Sequence, residues 1–453
     1  MSEAIKPDFY SQEDILLPLL AALKEEDFKA LSIMLESQHP SDIAELLNLC
    51  DNHDREKIIA LLGDVNSEIL TYLDDEVKEQ VANLLGSKSS AEAVDKLDSD
   101  DAVQFVEDLN KNQQQEILEQ LSTEKRLELE DALAYPQDSA ARLANKDFVT
   151  VPIKYNVGNI IDYLRNTENL PQDFYSIFLV DDEGRPTHSI PLSRVMRNNR
   201  DIQAETLMDA VKYSIPATTD QEEVANIFKK YNLISTPVVD AEGKMIGIIT
   251  VDDITYVIDE EAQEDMLAMA GVGRDIDINA SGFKRFKDRS PWLLINLFTA
   301  ILSTFIVANF ENVIAKIVAL AALMPVVSAL SGNVATQTLT VTVRALATRE
   351  LTFLNYVGVL RKEISASLLN GLLVGFAAFS LSYFIFGNYQ ISLILYSSFM
   401  VAFSFGVLVG SLVPLLMQKL GYDPAVTSPV FVTASTDIVS FFFFLGTASI
   451  FLL

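Results

Sequence analysis

The stretch Val426–Leu453 reads VTSPVFVTASTDIVSFFFFLGTASIFLL, long and apolar enough to cross a bilayer, with one carboxylate, Asp437, near its middle. A charge at that depth costs roughly 2.5–3.5 kcal/mol on insertion scales and usually marks an ion path or a proton relay. Ser428, Thr433, Ser435, Thr436 and Ser440 accompany it, so one side of the span is polar. The plain alternative is an ion pair with a base on a neighbouring span, for which only Lys316 stands away from the span ends. The stretch therefore reads as part of a cation path.

Four further hydrophobic spans precede it, at about 291–310, 313–343, 364–386 and 391–417, and the last runs over 425–453. Several exceed the length of one crossing and must tilt, bend or continue outside the bilayer. Pro325, with Ser328, Ser331, Gly332 and Asn333, predicts an interruption of the second span, and interrupted helices often line binding sites. Lys284, Arg285, Lys287 and Arg289 precede the first span, Arg344 to Lys362 separate the second from the third, and Lys419 separates the fourth from the fifth. The opposite loops, around Asn309–Asn312 and Gly387–Gln390, carry no Lys or Arg. The positive-inside rule then puts the N-terminal region in the cytoplasm and the C-terminus outside the cytoplasmic membrane.

Charge divides the chain at the same place. Its 453 residues carry −29 in all, but residues from 291 onwards carry +1, which leaves −30 on the first 290. Such acidity argues against nucleic acid and against docking on anionic lipid, and favours solubility or the capture of multivalent cations. Cys50 is the only cysteine, so no intrachain disulfide forms and the soluble part suits a reducing cytosol. His39, His53 and His188 have no ligand spacing, which disfavours zinc or copper. With no phosphate loop either, no catalytic constellation is present and an enzyme is the least favoured class. Met1 to Tyr10 lacks the basic and apolar regions of a signal peptide, so the spans themselves are expected to direct targeting.

Within residues 15–134 apolar groups recur at helical spacing: Leu46/Leu47, Ile58/Ile59/Leu62, Ile69/Leu70/Leu73, Val81/Leu84/Leu85, Val103/Val106/Leu109 and Ile117/Leu118/Leu121. Asp42 with Glu45 and Asn110 with Gln113 have capping-box spacing. Helices this short cannot bury a face alone, which predicts a stacked superhelix. Tyr135–Lys146, with Pro136, reads as a hinge. Strand, helix, strand and turn follow at Phe148–Pro152, Val157–Arg165, Ile177–Val180 and Asp181-Asp-Glu-Gly184. The series recurs at Ile215–Ala217, Glu222–Tyr231, Pro237–Val239 and Asp240-Ala-Glu-Gly243, then a strand at Met245–Thr250. Two turns 59 residues apart indicate a tandem α+β repeat. A charged helix from Asp252 to about Ala270 and a Gly/Asp/Asn linker lead to the spans. The expected organisation is an all-α superhelical domain (1–135), two α+β domains (136–200 and 201–260), a charged linking helix and linker (261–290), and an all-α bundle of five transmembrane helices (291–453).

The tandem repeat resembles a pair of CBS domains. Its second half carries Gly247-Ile-Ile-Thr250-Val-Asp252, similar to that family's nucleotide-contacting pattern, whereas the first has Ser189-Ile-Pro-Leu-Ser193. The resemblance implies Thr250 and Asp252 near the phosphate and ribose of ATP; a strand-to-helix turn without ligand is the alternative. Over nearly the whole chain the order of domains resembles the MgtE family of magnesium channels. The resemblance is carried by Ala134–Ala140, Glu260–Asp265, Ser331-Gly-Asn-Val-Ala-Thr-Gln337 with Arg344–Arg349, and Asp423-Pro-Ala-Val through Asp437. It implies a homodimer whose pore runs between the second and fifth spans, with Asp437 as the pore aspartate and Gly332 and Asn333 in the pore lining. Ala335 and Thr336 stand where the family usually has Gly-Asn, Pro429-Val430 and Ala434 also depart from its pattern, Ser440 replaces a glycine, and Tyr256 (with Gln104 a second candidate) replaces a regulatory acid.

The chemistry suits magnesium. Mg²⁺ demands octahedral oxygen ligation and gives up water reluctantly, so one carboxylate per subunit with hydroxyls and amides can hold the hydrated ion. Asp437 supplies the charge, and Asn333, Thr336, Gln337 and Thr433 offer polar partners along the lining. Asn333 and Gln337 are open to a second reading, since amides also glue membrane helices. Asp100 and Asp101, and Asp252, Asp253, Asp259, Glu260, Glu261, Glu264 and Asp265 on the linking helix, are like charges that divalent cations can bridge. The resemblance implies that cytosolic Mg²⁺ bound there closes the channel. The competing readings are a related path for Co²⁺ or Mn²⁺, or a membrane sensor that responds to nucleotide without conduction.

Overall fold

The computed structural model describes residues 12–63, 65–168, 170–171, 174–211, 213–272 and 280–452. They form two compact units that meet in sequence between Glu260 and Glu261.

The first unit opens on short helices: α1 (Gln12–Lys24), α2 (Phe28–Leu35), α3 (Pro40–Leu49), α4 (Asn52–Leu62), α5 (Glu68–Thr71), α6 (Asp75–Val94), α7 (Ser99–Glu107), α8 (Lys111–Gln120) and α9 (Thr123–Leu133). From α1 to α7 each packs against the helix two places further on, the pattern of a superhelix. Leu31, Leu46, Leu47, Ile58, Leu70, Val94 and Phe105 form its continuous core. Asn110 caps α8 as its spacing predicts, accepting from the N–H groups of Asn112 and Gln113 at 3.1 Å each. Asp42 does not cap α3; His39 does, through Nδ1, because Pro40 already supplies the first helical position. Glycine bends α6 at Gly86, where φ is +76°.

The two repeats are near copies. The first comprises β1 (Val149–Pro152), α10 (Val157–Asn166), β2 (Ser176–Val180), β3 (Pro186–Pro191), α11 (Leu192–Arg197) and β4 (Asp209–Ala210), with sheet order β1-β2-β3-β4. The second comprises β5 (Ile215–Pro216), α12 (Gln221–Tyr231), β6 (Ser235–Val239) and β7 (Met245–Thr250), in the order β5-β6-β7. In each, a parallel pair is followed by an antiparallel hairpin with the same register shift, at Leu179/Val180 and at Val238/Val239. The hairpin turns match as well. Asp181 Oδ1 accepts from Glu183 and Arg185, Asp240 Oδ1 accepts from Glu242 and Lys244, and glycine meets the positive φ at Gly184 and Gly243.

Tyr135–Lys146 is no hinge. Ala140 and Ala141 donate to Thr219 O and Ala217 O at 2.7 and 2.9 Å, and Asn145 exchanges backbone hydrogen bonds with Ile248 at 2.8 and 2.9 Å. Ala140, Ala141 and Ala144 complete the core of the second repeat, beside Val224, Phe228, Val238 and Ile249. The other side of the strap holds the superhelix: Arg142 pairs with Glu107 and donates to Tyr135 O, while Lys146 N donates to Ser99 Oγ at 2.7 Å. Pro136 suggested freedom, but backbone bonds at Tyr135, Ala140, Ala141 and Asn145 tie the segment down.

Helix α13 (Val251–Met269) crosses the boundary between the units without a break. The second unit continues with α14 (Gly282–Ala308), α15 (Glu311–Lys316), α16 (Val318–Ala347), α17 (Tyr356–Phe386), α18 (Tyr389–Lys419) and α19 (Pro424–Leu452). All but α15 are long and apolar enough to cross a membrane. Two expectations need correction. The second span begins at Val318, after a separate short helix, and Pro325 does not interrupt it. Proline removes one N–H from the ladder, and a packed membrane helix tolerates that loss. The linker expected beyond Ala270 falls largely on 273–279, outside the described residues.

Candidate pore and cation-binding cluster

Helix α18 organises the second unit because glycines let it approach its neighbours. A Cβ on Gly410 would lie 2.6 Å from Ala335 O of α16, and one on Gly406 would lie 3.3 Å from both Ala335 Cβ and Ser331 O. Cβ atoms on Gly371 and Gly375 of α17 would lie 3.0 Å from the Met400 and Tyr396 side chains of α18. Such small-xxx-small spacing replaces the hydrophobic drive that lipid cannot supply. Ala335 is fully buried in this contact.

Helices α16 and α19 then meet through polar groups. Ser328 Oγ donates to Asp437 Oδ1 at 2.5 Å, Ser440 Oγ donates to Ser331 Oγ at 2.8 Å, and Ser331 Oγ donates to Ser328 O at 3.0 Å. Asp437 is partly buried, and among the described residues no base pairs with it, Lys316 included. Asn333, Thr336 and Gln337 on α16 and Thr433 on α19 are exposed within the chain, and Gly332 is partly exposed. Asn333, Gln337, Thr340 and Arg344 recur at helical spacing, so one side of α16 presents an unburied polar stripe. Ala268, in the last turn of α13, is buried among Ala335, Leu339, Val343, Ala425 and Val432 of the same two helices.

The acids expected to bind regulatory cations fall into two groups. In the first unit the start of α7 brings the carboxylates of Asp98, Asp100 and Asp101 within 4.8 Å of one another. Burial pushes Asp100 well above the ordinary carboxylate range, and Asp253 and Asp101 push it further. Burial likewise raises Asp101 to about 6, with Asp98 and Asp253 adding to it. Asp253 is raised by burial, against hydrogen bonds from Thr250. Asp100 Oδ1 is buried and accepts no hydrogen bond. Four acids in one partly dry place is a donor set for a hard cation, which removes both the repulsion and the cost of burial. Asp98 escaped the sequence reading, although an acid two and three places before Asp100 and Asp101 is the signal that could have found it. Asp252 is exposed beside this cluster. Glu261, Glu264 and Asp265 lie further along α13, in the second unit, and are not part of it.

Residues of the nucleotide motif also have structural partners. A Cβ on Gly247 would lie 2.8 Å from Ala144 Cβ, so glycine there admits the strap. Thr250 Oγ1 donates to Asp253 Oδ2 at 2.7 Å, and Thr250 N donates to the same oxygen at 3.1 Å.

Three family profiles match: divalent cation transporter MgtE over residues 324–447, the MgtE intracellular N domain over 38–138, and a CBS domain over 204–260. The magnesium transporter MgtE of Thermus thermophilus is 32% identical over 448 residues, covering 97% of this chain and 99% of that protein. The protein of the same name from Bacillus subtilis is 29% identical over 318 residues, 70% of each chain. Among solved structures, the cytosolic domain of the Mg²⁺ channel MgtE in complex with ATP is 28% identical, with a TM-score of 0.49 over 53% of this chain and 99% of that one. Alignment with the Thermus protein from end to end settles the assignment: the chain belongs to the MgtE family of transporters.

Proposed function

We propose that the chain carries Mg²⁺ across the cytoplasmic membrane as a homodimer, through a pore lined by α16 and α19. The observation that carries this is the set of exposed polar residues Asn333, Thr336 and Gln337 on α16 and Thr433 on α19, the span that also holds Asp437. Polar groups facing hydrocarbon are costly, and a second copy enclosing water between the stripes satisfies them. Asp437 from each copy then attracts the ion and accepts hydrogen bonds from its water shell. Closure follows when cytosolic Mg²⁺ occupies Asp98, Asp100, Asp101 and Asp253, with α13 as the element that joins this cluster to the packing around Ala268. Glu261, Glu264 and Asp265 add a second set of acids along the same helix. The names of the relatives support magnesium over Co²⁺ or Mn²⁺.

The test is flux into liposomes holding the purified protein. Asp437→Ala and Asp437→Asn are expected to reduce Mg²⁺ entry at least tenfold while the protein still assembles; entry at the wild-type rate would sink the pore. ATP at the end of β7 is the weaker part of the reading. Asp252 remains exposed for a ribose, but the Thr250 hydroxyl is committed to Asp253. Calorimetric binding of ATP that Asp252→Ala weakens would support it, and no heat at millimolar ATP would remove it.

A further inference from the structure

The hydrogen bonds between α16 and α19 form one connected run. Ser440 donates to Ser331, Ser331 donates to the carbonyl of Ser328, and Ser328 donates through its own hydroxyl to Asp437. Ser331 and Ser440 are fully buried. The bond from Ser328 is the one hydrogen bond that Asp437 accepts among the described residues.

We propose that Ser328, on the turn of α16 that Ser331 and Ser440 tie to α19, is a positioning residue that sets which divalent cations Asp437 passes. The inference rests on the pore reading above. A carboxylate with one oxygen tied to a neighbouring helix keeps one orientation and offers its other oxygen at a fixed place. That suits an ion recognised through water it will not release, because the acceptor must meet the hydration shell without advancing on the metal. An untied carboxylate turns freely and can reach the metal itself, which favours ions with looser water, such as Mn²⁺ and Ca²⁺. Partners that orient a metal-binding group commonly change affinity by about tenfold or more when removed, so the effect on selectivity is large enough to read.

The experiment compares Mg²⁺, Mn²⁺ and Ca²⁺ entry into liposomes carrying the full chain or its variants. Ser328→Ala is expected to raise the Mn²⁺-to-Mg²⁺ flux ratio by about threefold or more, and Ser440→Ala to raise it less, because Ser440 acts only through the turn that carries Ser328. Ser328→Thr keeps the hydroxyl and should keep the wild-type ratio. A hydroxyl that served packing alone would lower thermal stability in the alanine variants and leave the ratio unmoved. An unchanged ratio in Ser328→Ala, in the same membranes where Asp437→Ala is silent, overturns the proposal and leaves the pore standing. If Asp437→Ala conducts normally, the pore reading fails first. Should Ser328→Ala not assemble, Ser328→Cys, a weaker donor of similar size, carries the test, and an unchanged ratio there overturns the proposal.

Discussion

At the scale of single residues, the acids near α7 are the most consequential. Asp101 has an ordinary value of 3.8 and is held at about 6, chiefly by burial. Its protonated form is thus favoured in the folded state, and ionisation works against folding. The stability is fully present below about pH 4 and is lost as the pH rises through about 6. In EDTA the full chain should melt several degrees higher at pH 5 than at pH 7.5. Asp101→Asn should flatten part of that slope, which isolates Asp101 from Asp108, another acid that burial raises to about 6. Millimolar Mg²⁺ should flatten it too, by stabilising the ionised cluster. Thermal melts across this pH range decide the matter, and an identical slope in Asp101→Asn would show that the cluster carries no such load. Asp437 was legible from sequence because a lone acid in an apolar run has few explanations. Ser328 was visible only as a polar neighbour of Pro325, since a donor's partner 109 residues away leaves no local trace.

Among the elements, those with strong periodicity could be read directly and those defined by approach could not. The paired apolar residues announced α3 to α8, and the two Asp-x-Glu-Gly turns announced the repeat. Strand β3 was missed because Pro186-Thr-His-Ser-Ile-Pro191 shows little alternation and two prolines; it exists because the turn before it delivers it to β2. The strap was misread for a similar reason, as its small residues are chosen by the strand they touch. The glycines of α18 carry the same lesson and can be tested. Gly410→Ala places a Cβ 2.6 Å from the Ala335 carbonyl, which a packed backbone cannot accommodate without shifting. It should cost about 1–3 kcal/mol and lower the melting temperature in detergent. Gly332→Ala, whose Cβ meets nothing within 4 Å, is the control expected to melt like the wild type. Equal melting of the two variants would refute the close contact.

For the whole molecule, the −30 on the first 290 residues is the charge that the proposed divalent sensing would offset. Bridging of the acids should slow protease cleavage around 271–282 as Mg²⁺ rises from EDTA to 10 mM on the order expected of a millimolar sensor. Glu264→Gln with Asp265→Asn should remove part of that protection, and equal digestion at both extremes would count against cation sensing. Cleavage near Pro136 should stay slow throughout, because the strap is bonded on both sides. The strap also sets an order of assembly. Asn145 leaves the ribosome 103 positions ahead of Ile248, its eventual strand partner. Until β7 is synthesised, Ala140, Ala141 and Ala144 have no sheet to lie on, while the repeat between them can already close on its own core of Val151, Ile177 and Ile190. The second repeat is therefore finished by residues made before the first.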